Sequence, residues 1–96
     1  MSNALRDKLA GELMETGFKE LAPHFARGAL VLVASDLSLL DVAEAVARDQ
    51  RERVEAWLSS KRIWRATDDD AKRALTEEQK LRFVIVQPWV LAQRCD

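Results

Sequence analysis

One stretch constrains this chain more than any other: residues 83–93, FVIVQPWVLAQ. Phe83, Val84, Ile85, Val86, Trp89, Val90 and Leu91 crowd into it, and only Gln87 and Gln93 are clearly polar. So short and apolar a run reads as a strand buried in a sheet, which needs other elements to cover it. Pro88 has no N–H to give to a ladder, so it marks a bulge or an edge segment.

Ninety-six residues make one domain, 1–96, large enough for a core without disulfides or a metal. Fifteen basic residues nearly cancel sixteen acidic ones. No global field therefore draws the chain to nucleic acid or to an anionic membrane. Cys95 is the sole cysteine, which excludes an internal disulfide and fits a reducing compartment. The N-terminal stretch is too charged for a signal peptide, and no apolar run approaches the roughly 20 residues of a membrane helix. The expected location is the cytoplasm, with no membrane partner.

Residues 3–16 carry Leu5, Leu9, Leu13 and Met14 at helical spacing, with Ser2 or Asn3 as the cap. Gly11 weakens this helix by about 1 kcal/mol relative to Ala, so it reads as peripheral and in need of a partner surface. Residues 18–27 form a short helix, kinked or restarted at Pro23 and closed by Gly28 in a left-handed cap. Residues 29–34, ALVLVA, form a buried strand. Ser38 opens the next helix, with Asp41 as capping-box partner and an apolar face of Leu39, Val42, Ala43, Val46 and Ala47. A break near Asp49–Gln50 separates it from a second helix over 51–60, facing inward with Val54, Trp57 and Leu58; one continuous helix is the competing reading. Residues 62–66 alternate like a half-exposed strand, and Thr67 caps a helix over 68–80 that Thr76 and Gln79 mark for splitting. The fold class is α+β: a three-stranded sheet from residues 29–34, 62–66 and 82–93, packed against several helices.

Three ordered landmarks resemble a known family. ELAPHFARG at 20–28, DLSLLDVA at 36–43 and PWVLAQ at 88–93, with Val54, Trp57 and Leu58 between, are similar to a family of short bacterial proteins classed as a domain of unknown function. The resemblance spans residues 12–93. It implies a bacterial, cytoplasmic, single-domain protein and transfers no functional residue.

No catalytic, cofactor-binding or metal-ligating set emerges. His24 has no Cys, Ser or second His at a telling spacing, so it reads as a helix-end histidine. Asp68, Asp69 and Asp70 sit in the first turn of a helix, where the macrodipole favours acids, and no glycine follows Gly28 to shape a calcium loop. Cys95 stands at the chain end, where nothing fixes its geometry. Trp64 and Trp89 are the candidate partner contacts, Trp64 because it lies between Arg62 and Arg65. The default reading is a non-enzymatic module that binds a protein partner or forms a homodimer.

The alternative is a helix-turn-helix with a wing over residues 38–66. Its phosphate contacts would be Arg51, Arg53, Lys61, Arg62 and Arg65. Asp49, Glu52 and Glu55 on the same helix oppose a phosphate backbone, and Arg48–Glu52 and Arg51–Glu55 make ordinary i,i+4 pairs.

Overall fold

The computed structural model describes residues 4–95. It shows helices α1 (Ala4–Glu12), α2 (Phe18–Ala26), α3 (Leu39–Ala47), α4 (Arg51–Ser59) and α5 (Asp68–Thr76). The strands are β1 (Met14–Gly17), β2 (Leu30–Val33), β3 (Ile63–Arg65), β4 (Lys80–Val86) and β5 (Trp89–Arg94). The expected caps Ser2 and Asn3 lie outside the described residues.

The sheet has five strands in the order β1-β4-β5-β2-β3, against the three that the sequence predicts. Two differences account for the count. Residues 82–93 are not one strand but the hairpin β4–β5, in which Val86 faces Trp89 across Gln87–Pro88, a cis peptide. Pro88 therefore stands in a turn, where no ladder donor is needed. The second difference is β1, read as the end of a helix over 3–16. Its sequence METG carries no strand signal. It is extended because β4 offers an open edge, pairing Met14 with Phe83 and Thr16 with Leu81.

β5 is the central strand, antiparallel to β4 and parallel to β2. Both its faces are covered, which explains the unbroken apolar run Trp89–Ala92. On one face Leu91, Val33 and Val84 meet Leu9 of α1 and Leu39, Val42 and Ala43 of α3. On the other, Val90, Ala92 and Leu30 meet Phe18 and Leu21 of α2 and Ala71 and Ala74 of α5. The α1 helix, expected to be peripheral, buries Leu9 in the first layer. Arg6 holds it to α3 through Asp41 at 2.8 Å, and that contact raises the Arg6 pKa above its ordinary value. Asp41 is thus engaged outside a capping box, and only the Ser38 half of that box forms, accepting from the Asp41 N–H at 3.2 Å.

Four helices end alike. The residue after the C-cap is left-handed at Gly28 (φ 73), Asp49 (φ 55), Lys61 (φ 60) and Glu78 (φ 49). In each case the next N–H reaches back five residues, as in Gln50 to Ala45 and Arg62 to Trp57. These are Schellman closures, and only the first uses glycine. They settle the α3–α4 question in favour of two helices, and they end α5 at Thr76 as a single helix. Asp49 closes α3, and α4 starts from Gln50 with no side-chain cap. α2 runs through Pro23 as one helix.

Candidate functional site

α4 differs from the other helices in having no buried residue. Its expected inward face is only partly inward. Val54 and Trp57 are half-buried against the first layer, while Leu58 keeps 48% of its surface. The reason is geometric: a hollow of about 640 Å³ separates α4 from the sheet. α4 lines it with Arg51, Val54, Glu55 and Leu58, and the sheet lines it with Val31, Ile63, Arg65, Trp89 and Leu91. Val46 and Asp49 close the end at α3, and Gln87 and Pro88 of the hairpin tip close the other. The floor is apolar and the charges stand at the rim.

The rim charges are arranged unequally. Arg51 Nε lies 3.4 Å from Asp49 Oδ1. Arg65 sits over the Trp89 ring, 5.3 Å from its centroid, a cation–π contact that holds the guanidinium at the mouth. Neither Arg65 nor Glu55 has an ion-pair partner among the described residues. The i,i+4 pairs expected for Arg51–Glu55 and Arg48–Glu52 do not form. Arg48 caps α3 and turns to Glu44 at 3.9 Å, because the break puts Glu52 on another helix.

The residues singled out in the sequence are dispersed. Trp89 lies in the groove, half-buried. Trp64 points to the opposite face, where its indole N–H donates to Asp70 Oδ2 at 3.0 Å. It lines a smaller cleft of about 300 Å³ with Ser35, Arg73 and Gln79. Asp70 also receives Thr67 N–H at 2.9 Å and closes a complete capping box on α5. Arg53 bonds Gln50 Oε1 at 3.0 Å and stacks on Trp57. Arg62 pairs with Asp36 at 3.2 Å, and Lys61 occupies the left-handed turn. His24 of α2 accepts from Arg27, the C-cap of that helix, and Cys95 is half-buried just past β5; neither lines the groove. Among the described residues no group of three or more His, Cys, Asp or Glu is placed to hold a metal ion, and no helix is long and apolar enough to cross a membrane.

Sequence reasoning placed Val54 and Leu58 in the core and so missed the groove they wall. The signal was present but faint: α4 interleaves them with Arg51, Glu52, Arg53 and Glu55, leaving an apolar stripe too narrow for full burial.

The family described as "Protein of unknown function (DUF2288)" matches residues 4–94. The NMR solution structure of PA1075 from Pseudomonas aeruginosa is 43% identical in sequence and superposes with a TM-score of 0.86, covering 100% of this chain and 89% of that one. No curated protein matches the chain.

Proposed function

The chain belongs to this DUF2288 family, and from that premise we propose that it is a non-enzymatic cytoplasmic module that binds a protein partner in the groove beside α4. The observation that carries this reading is Leu58, a large apolar side chain left 48% exposed on the wall of an apolar hollow. Its exposed half forfeits about half of the ~2 kcal/mol that burying such a side chain contributes, and a docked partner recovers it. Trp89 and Arg65 supply the aromatic and guanidinium anchors that dominate protein interfaces.

The helix-turn-helix reading draws less support. Of its five basic residues, Arg51 and Arg62 face acidic neighbours and Arg53 bonds Gln50 and lies over Trp57, which leaves only Lys61 and Arg65 without a side-chain ion pair or hydrogen bond among the described residues. A phosphate-tracking surface needs cations free and aligned.

The test is site-specific photocrosslinking in cells making the full chain. A photoreactive residue at Leu58 gives a discrete protein adduct, and one at the exposed Lys72 on the opposite face does not. An absence of any protein adduct from Leu58 overturns the reading.

A further inference from the structure

Resting on that reading, we infer that the occupant of the groove is a second copy of this chain, docked through α4 about a two-fold axis. An isologous interface must complement itself: one patch has to supply both the projection and the hollow, and both signs of charge. This patch does. Leu58 projects, exposed, beside the hollow it borders. Arg51, Val54, Glu55 and Leu58 fall at i, i+3, i+4 and i+7, one stripe of the helix, and that whole stripe faces the groove. A rim of one sign would repel its own copy, whereas here two cations, Arg51 and Arg65, balance two anions, Asp49 and Glu55.

The distribution of partners narrows the contact. Asp49 and Arg51 satisfy each other within the chain. Glu55 on the helix wall and Arg65 on the sheet wall have no ion-pair partner among the described residues. A two-fold axis running along the groove sets the helix wall of each copy against the sheet wall of the other, so each Glu55 meets the Arg65 of the other copy and two equivalent pairs form. Arg65 is already held against Trp89, so little side-chain freedom is lost when the pair closes. Leu58 and Val54 of each copy then fill the apolar floor of the other.

Sedimentation and light scattering of the full chain, in reducing buffer to exclude a Cys95 disulfide, test this across the micromolar range. The mass rises from one chain toward two with concentration. Leu58→Glu remains monomeric with an unchanged melting temperature, because the side chain it alters is exposed. Glu55→Arg and Arg65→Glu each weaken association at least about tenfold, since like charges then face each other across the axis. Mixing these two variants in equal amounts restores the dimer, because every cross-axis pair in the mixed dimer is again of opposite sign. A wild-type chain that stays monomeric throughout overturns the inference, as does a dimer that survives Leu58→Glu or a mixture that fails to associate. A monomer whose Leu58 crosslinks to a different protein overturns the second copy and leaves the docking groove standing. An absence of all protein adducts removes both.

Discussion

The Gln93 side-chain nitrogen donates to the Ala34 carbonyl oxygen at 2.7 Å, tying the central strand to the loop fifty-nine residues earlier that leads into α3. The same amide reaches the Leu37 carbonyl. Gln93 is the one buried polar side chain among the described residues, and it holds the β2–α3 loop against the end of β5.

Gln93→Leu keeps the volume and removes the donor. The Leu37 carbonyl is left without it, and the expected loss is about 1–3 kcal/mol in urea unfolding. Gln93→Glu loses more, since a buried carboxylate has no hydrogen to donate. Equal stability of all three proteins contradicts the clamp.

Asp70 serves α5 and Trp64 together. Asp70→Ala removes the capping box and the acceptor for the indole, and about 2 kcal/mol of stability is lost. Trp64→Phe loses less. The double variant falls short of the sum of the two by roughly 0.5–1 kcal/mol, because both changes break one shared bond. Strict additivity in chemical denaturation refutes the coupling.

Lys61 and Glu78 adopt left-handed conformations that cost a residue with a Cβ roughly 1–2 kcal/mol. Lys61→Gly and Glu78→Gly each raise stability by up to about 1 kcal/mol, after the extra chain entropy of glycine is subtracted. Gly28→Ala goes the other way, although a methyl there meets nothing within 4 Å, because the strain is in the backbone. Thermal melts that show no gain for either glycine remove the Schellman closures as the cause.

Val84 and Ile85 are neighbours in β4 with opposite exposures, 0% and 41%. Val84→Asp places an unpaired charge in the first core layer and costs several kcal/mol, a large share of any small domain's stability. Ile85→Asp changes the melting temperature little. If the two variants melt alike, the strand register is wrong, since a one-residue slip exchanges the faces.

How much of this was legible depends on where each signal resides. Residues 83–93 read as one buried strand because β5 is covered on both faces, but the run joins the end of β4, with Ile85 41% exposed, to β5 across a turn. Thr67 and Gly28 announced their caps because local chemistry decides them: an oxygen three residues from an N–H, a missing Cβ at positive φ. The hairpin at Gln87–Pro88 was legible only as a break. β1 was not legible at all. METG has no strand propensity to speak of, and its extended form comes from the open edge of β4, which begins sixty-three residues on, where Lys80 pairs with Gly17.

The candidate site shows the same division. The sequence by itself determined a mixed α+β domain with near-balanced charge, the five helices, the strand regions at 29–34 and 62–66, and apolar stripes for the core, because propensity, capping and periodicity act over a few residues. Only the tertiary structure decided that Trp64 turns to Asp70 while Trp89 turns to Arg65, and that Val54 and Leu58 wall a hollow instead of filling a core. A stripe on a helix states which side seeks apolar company. How far the helix stands from its sheet is set by every other contact in the fold, and here that distance leaves room for the groove.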